Sequence, residues 1–145
     1  MFVCLDLETT GFNSDEDFII EVAAVRFESG RGGESTSSRA TFEKLVRPPI
    51  EIPPMITSIT GITNAMVQSA PTFEEIQKEL TEFIGGAPIL GHNVMFDVGF
   101  LRAAGMELNN VFLDTYELMR VLLPSEASYS LEVIAKKMKL QNRPS

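Results

Sequence analysis

The run Phe2-Val3-Cys4-Leu5-Asp6-Leu7 constrains this chain more than any other segment. Near-continuous apolar character that ends in carboxylates predicts a buried strand, because a strand with one wet face alternates apolar with polar residues. Phe18 to Phe27, rich in Ile, Val and Phe, predicts a second strand. Ser29 to Ala40 (SGRGGESTSSRA) is a long hairpin tip or a mobile loop. Thr41 to Val46 then returns as a third strand, stopped by Pro48-Pro49. The chain opens as a three-stranded meander.

Helical periodicity takes over downstream. Pro48 to Pro71 is irregular, with four prolines before Met55. Thr72, with Glu75 in the capping-box position, starts a helix whose apolar face is Phe73, Ile76, Leu80, Phe83 and Ile84. Gly85-Gly86 ends it. Pro88 to Gly91 predicts a short buried strand, Val94 to Ala104 a helix, Val111 to Leu113 a strand, and Thr115 to Leu123 a helix. A last helix runs from Ser130 to Met138. Strands first, then alternating helix and strand, make an α/β domain with a mixed sheet.

Composition narrows the class without choosing a function. The 145 residues, 44% hydrophobic and 22% charged, suit one soluble globular domain over 1–145, with no repeat and no second domain. No apolar run approaches the roughly 20 residues needed to cross a bilayer. No basic segment precedes the first strand, so a cytoplasmic protein with no membrane partner is expected. The single cysteine, Cys4, reads as a buried small hydrophobe. A net charge of −8 argues against holding nucleic acid by a broad basic face. It still permits a nuclease that touches a few terminal phosphates through bound metal.

Asp6 and Glu8 stand two apart at the end of the first strand, so their side chains share a face. Two such carboxylates repel unless a cation or a proton lies between them. Hard oxygen ligands with no Cys or His cluster favour Mg²⁺ or Mn²⁺ over zinc. The bland alternative is a solvated strand end turning into Thr9-Thr10-Gly11. A second feature, Gly91-His92-Asn93-Val94-Met95-Phe96-Asp97, sits at a strand-to-helix junction, where α/β sheets place their ligand sites. Asp97 in a first helical turn is also simply favourable with the helix dipole.

Together these segments, F-V-C-L-D-L-E-T-T-G at Phe2 to Gly11 and G-H-N-V-M-F-D at Gly91 to Asp97, resemble the DEDD family of 3′→5′ exonucleases. The likeness is greatest to the branch that contains the proofreading subunit of bacterial replicative DNA polymerase. Ile59-Thr60-Gly61-Ile62-Thr63, Leu113-Asp114-Thr115 and Tyr129-Ser130-Leu131 stand where that family has further landmarks. The resemblance implies a ribonuclease H-like fold, a mixed five-stranded sheet flanked by helices, and two-metal hydrolysis of a terminal phosphodiester. Asp6 would bridge two Mg²⁺ or Mn²⁺ ions, Glu8 would bind one, and Asp97 would help hold the other. Thr9 and Thr10, through their backbone, match positions that contact the terminal nucleotide. Phe96 and Ile62 match residues that wall the base pocket, with core packing as their alternative.

The family's third motif carries a general-base His or Tyr and, a few positions later, a fourth carboxylate. In the histidine branch that spacing is H-x4-D. This chain ends at Asn142-Arg143-Pro144-Ser145, close to where the histidine would stand. The expectation is a domain lacking its C-terminal helix and third motif, with an apolar face left exposed and little or no activity. His92, the sole histidine, belongs to the second motif and is read as structural. Tyr129 has no aspartate a few residues on and is rejected as the base. Asp114 is read as a helix N-cap. Lys136, Lys137, Lys139 and Arg143 form the one basic cluster, a solvated helix end or a contact to nucleic-acid backbone. The implied partner is a single-stranded 3′ end of DNA, with a DNA polymerase III subunit as candidate protein partner. RNA ends, or a non-catalytic module that holds a 3′ end or a polymerase, are the competing readings.

Overall fold

The computed structural model describes residues 1–28 and 39–140. The elements are β1 (Phe2–Thr9), β2 (Ile19–Phe27), β3 (Ala40–Leu45), α1 (Pro54–Thr60), α2 (Asn64–Val67), α3 (Phe73–Ile84), β4 (Ile89–Gly91), α4 (Val94–Ala103), β5 (Phe112–Asp114), α5 (Thr115–Leu122) and α6 (Leu131–Lys137). The five strands form one sheet in the order β3-β2-β1-β4-β5. The meander is antiparallel, and β4 and β5 are added parallel to β1. β1 is thus the central strand and the join between the two halves. Most of the tip predicted at Ser29 to Ala40 lies outside the described residues.

One face of β1 is core and the other is not. Val3, Leu5, Leu7 and Thr9 are buried, whereas Cys4 and Asp6 are exposed. The apolar run had predicted burial on both faces and a buried Cys4. Both expectations are corrected, because α3 and α4 pack only on the Val3, Leu5 and Leu7 side. Ile76, Leu80 and Ile84 of α3 and Val94, Val98 and Leu101 of α4 fill that side. Complete burial of a Leu or Ile side chain is worth about 1.5–3 kcal/mol, so this face anchors the sheet.

Pro48 to Pro71 is not irregular. Pro54 opens α1 at a position where its missing N–H costs nothing. Gly61, at φ +78°, closes it in the left-handed region. The Thr63 hydroxyl caps α2 by accepting from Met66 N–H. Asn64 ties the segment down, its Oδ1 accepting from Ile52 N at 2.8 Å. The outcome is a second apolar cluster of Ile20, Ile52, Ile56, Ile62 and Val67. The turns were too short for periodicity to reveal. By contrast the capping box on α3 forms as read, with the Glu75 carboxylate accepting from Thr72 N at 2.7 Å.

α5 has an apolar stripe but buries none of its residues, and Leu118, Val121 and Leu122 are exposed. Among the described residues no helix is long and apolar enough to cross a membrane.

Candidate active site

Asp6 and Glu8 project from the open face of β1, as the strand period requires. Across the sheet Glu8 lies directly opposite Glu21 on β2. The register slips just beyond, so that Thr9 faces Ile19, a bulge of the kind that re-aims side chains at the end of a ladder. Like charges opposite one another destabilise a sheet. The carboxyl of Glu8 accordingly titrates above its ordinary value, through burial first and then the charges of Asp6 and Glu21. Glu21 is raised by burial, then by Asp6 and Glu43. Burial raises Asp6 as well, although it reaches solvent, and water tempers the effect there.

Asp97 is brought to the same strand end. β4 pairs with β1 only at Val3 and Cys4, so the N–H groups further along β1 need other partners. The Asp97 carboxylate takes one, accepting from Leu7 N at 3.0 Å. It is only 4% exposed. Burial, with the charge of Asp6 second, pushes its pKa up to about 7. Asp97 is therefore coupled to Asp6 through space and to β1 through its main chain.

The junction before α4 is held by Asp114. Its carboxylate accepts from Asn93 N at 3.0 Å, Val94 N at 3.1 Å and Tyr116 N at 2.8 Å. The N-cap reading was right for α5, and the same side chain also ties down the start of α4. Asn93 takes the left-handed conformation there, at φ 65°, which asparagine tolerates. Gly91 is required by close approach, since a Cβ would meet Val94 Cγ2 at 2.8 Å. The Thr115 hydroxyl donates to Gly91 O, so it accepts from His92 Nδ1–H at 3.0 Å. That bond gives His92 the structural part read for it.

Thr9 and Thr10 are 7% and 2% exposed, and their hydroxyls are committed internally, to Gly11 O and to Asp17 Oδ1. Phe96 is half-buried, its ring 5.0 Å from Phe100 and 6.4 Å from Phe12. Ile62 is 3% exposed and sits in the second apolar cluster. Asp97 therefore comes to the strand end that carries Asp6 and Glu8, with Phe96 adjoining it in sequence and Thr9 and Thr10 just beyond Glu8. Sequence reading missed Glu21, Phe12 and Asp17. The strand alternation could have found Glu21, but the acidic run Asp15-Glu16-Asp17 resembles any solvated turn.

All these donors are carboxylate oxygens whose pKa values are raised by burial first and, for Glu8 and Asp97, by neighbouring carboxylates second, a chemistry that suits a hard divalent cation. Among the described residues, no three acidic, histidine or cysteine side chains are drawn together as a ready ligand set. Asp97 is instead turned onto the main chain.

Comparison with known proteins places this fold. The exonuclease family of the ribonuclease T type matches residues 3–145. The chain is 40% identical over 139 residues to a DNA polymerase III of the PolC type from Clostridium perfringens, covering 93% of this chain and 9% of that protein. It is 39% identical over 140 residues to the DNA polymerase III subunit epsilon of Aquifex aeolicus, covering 93% of this chain and 66% of that protein. The chain thus spans less than two thirds of these relatives. Exonuclease X, solved in complex with 5′ overhanging duplex DNA, superposes with a TM-score of 0.79 at 28% identity over 100% of this chain and 77% of its own. Exonuclease I shares the fold at a TM-score of 0.75 and 22% identity, over 97% of this chain and 36% of its own. The mixed sheet flanked by helices is the ribonuclease H-like fold of these exonucleases. Members of the family generally use divalent metal ions. By sequence and fold alike, the chain belongs to the ribonuclease T-type exonuclease family.

Proposed function

We propose that this chain is the body of a metal-dependent 3′→5′ exonuclease that acts on single-stranded or frayed DNA ends. The observation that carries the reading is the hydrogen bond from Leu7 N–H to the Asp97 carboxylate, which brings Asp97 across 90 positions of sequence to the strand end that carries Asp6 and Glu8. Asp6 lies between the other two in its electrostatic coupling, which suits a ligand shared by two Mg²⁺ or Mn²⁺ ions. Glu8 and Asp97 would each complete one of the pair. When bound, the ions supply the positive charge that activates water and offsets charge on the leaving 3′ oxygen.

The chain's own residues bind and orient. Thr9 and Thr10 would meet the terminal nucleotide through their main chain, since their hydroxyls are engaged elsewhere. The half-buried ring of Phe96 would bound the base. Ile62 would wall the base from its place in the second apolar cluster. Two relatives carry the names of polymerase III proteins, and the Exonuclease X structure holds DNA, which favours DNA over RNA and a polymerase III subunit as partner. Among the described residues none is in place as general base: His92 Nδ1 is engaged by Thr115, and its Nε2 is buried without a partner. Lack of that group typically costs about 10²- to 10⁴-fold, so the expected rate is low. This same observation supports a second reading, a module that holds a 3′ end without cutting it.

A denaturing-gel time course with 5′-labelled single-stranded DNA or RNA, in Mn²⁺ or EDTA, is run beside anisotropy binding of the same strands. A slow, metal-dependent ladder from the 3′ end, lost in Asp6→Ala, supports the nuclease. Metal-dependent binding with no ladder supports the holding module. Neither binding nor cleavage overturns both.

A further inference from the structure

We propose that Glu21 is a positioning residue for the ion that Glu8 would hold: its carboxylate faces Glu8 across the sheet and accepts a hydrogen bond from water bound to that ion. This rests on the nuclease reading and adds to it a residue outside the carboxylate set named above. Glu8 pairs with Glu21 in the antiparallel ladder of β1 and β2. Directly opposite side chains share one face, with Cβ atoms about 4.5–5.5 Å apart, and like charges so placed destabilise the strand pair. The backbone nevertheless holds Glu21 firmly there. Ile20 and Val22, on either side of it, are both 0% exposed, the first in the second apolar cluster and the second in the main core. The register shift beyond Glu8 makes this possible, because Ile20 is the extra residue between Ile19 and Glu21. Val46 N fixes the same point by donating to Ile20 O at 2.8 Å.

Charge on the meander is sorted by face. Asp6 lies opposite Ala23, and Ala23 opposite Glu43, so Asp6, Glu8, Glu21 and Glu43 all stand on the open side. The two cations of β1 to β3 stand on the other side, Arg26 opposite Val3 and Lys44 opposite Val22, both core residues. Both are engaged there by α3. Arg26 donates to Phe83 O at 3.4 Å with its guanidinium over the Phe83 ring, and Lys44 pairs with Glu79. Compensation of the open-face carboxylates is thereby left to something that binds. A divalent ion suits them, and such an ion keeps several waters when one or two carboxylates bind it. A neighbouring carboxylate that accepts from one of those waters orients the ligand set and raises affinity. Register gives Glu21 that place beside Glu8, whereas Glu43 stands one strand further out.

The test titrates the whole chain with Mn²⁺ in the absence of nucleic acid, at about pH 8 and fixed ionic strength, reading free Mn²⁺ by electron paramagnetic resonance. Glu21→Gln is expected to weaken Mn²⁺ binding on the order of 10- to 100-fold. It should at the same time raise the melting temperature in EDTA, because the repulsion with Glu8 is gone. A residue that merely supported the fold would lower it. Glu21→Asp keeps the charge and draws the carboxylate back by a methylene, so its affinity should also fall well below wild type. Glu43→Gln removes the same charge from the same face and should bind Mn²⁺ nearly as wild type does.

Wild-type Mn²⁺ affinity in Glu21→Gln, with binding still lost in Asp6→Ala, would overturn the inference and leave the nuclease reading intact. Equal losses in Glu21→Gln and Glu43→Gln would overturn it too, since only the total charge of the face would then matter. Wild-type affinity in Glu21→Asp, or a lowered melting temperature for Glu21→Gln in EDTA, would likewise count against it. No Mn²⁺ binding by the wild-type chain would remove the reading and the inference with it.

Discussion

The Asp97 carboxylate accepts a hydrogen bond from Leu7 N–H at 3.0 Å, joining the first turn of α4 to the central strand where β4 has already stopped. The bond replaces a missing rung of the sheet and delivers a third carboxylate to Asp6 and Glu8 in one step. Structure and proposed chemistry meet in this side chain, and its charge carries a cost that can be measured.

Asp97 titrates at about 7 in the folded chain against an ordinary 3.8. A carboxyl raised on folding binds its proton more tightly in the native state. Its contribution to stability is therefore full below the unfolded value and is lost as pH climbs through about 7. Asp6, Glu8 and Glu21 are shifted in the same direction. The melting temperature in EDTA should fall between about pH 5.5 and about pH 8. Mn²⁺ should raise it more at the higher pH, where the carboxylates are ionised and the cation offsets their repulsion. A melting temperature that rises over this range without metal would contradict the account.

Asp97→Asn separates the two roles. The amide oxygen can still accept from Leu7 N–H, while the charge is gone. Differential scanning fluorimetry should find the metal-free variant more stable than wild type at about pH 8, with little stabilisation left on adding Mn²⁺. Asp97→Ala should be destabilised at every pH, because it leaves Leu7 N–H without its partner.

Asp114→Ala should be among the most destabilising single changes outside the core. It removes the acceptor of three N–H groups at the starts of α4 and α5. Loss of an N-cap costs about 0.5–2 kcal/mol, and here two helix starts lose theirs together. Urea unfolding should show a loss of about 2 kcal/mol or more, with Asp114→Asn intermediate. An unchanged midpoint would mean that water replaces the carboxylate freely.

Ile62 can be tested by the same measurement. It is 3% exposed and packed with Ile20, Ile52, Ile56 and Val67. Ile62→Ala should cost about 2–5 kcal/mol as a core truncation. A stable variant with weakened oligonucleotide binding would place Ile62 at the base pocket instead.

Local chemistry made much of this legible in one dimension. Thr72 and Glu75 announced α3, because a capping box satisfies its N–H groups within four residues. Asp6 and Glu8 declared a shared face, because the period of a strand is two whatever surrounds it. The paired motifs at Phe2 to Gly11 and Gly91 to Asp97 sufficed for the family. Other features depended on neighbours far along the chain. Cys4 reads as apolar core, and only the placement of α3 and α4 on one side of the sheet leaves it exposed. The helices within Pro48 to Pro71 are too short for a period to register. Their stability comes from capping by Gly61 and Thr63 and from packing on Ile20, a residue on another element. Glu21 faces Glu8 only through strand register, and Asp17 grips Thr10 only once the turn has closed. The central strand and the family follow from spacing in the sequence, and the same spacing proposes the carboxylates. Tertiary structure alone decided that Asp97 is buried against Leu7 with its pKa near 7, because desolvation and repulsion depend on what folding brings within a few ångströms.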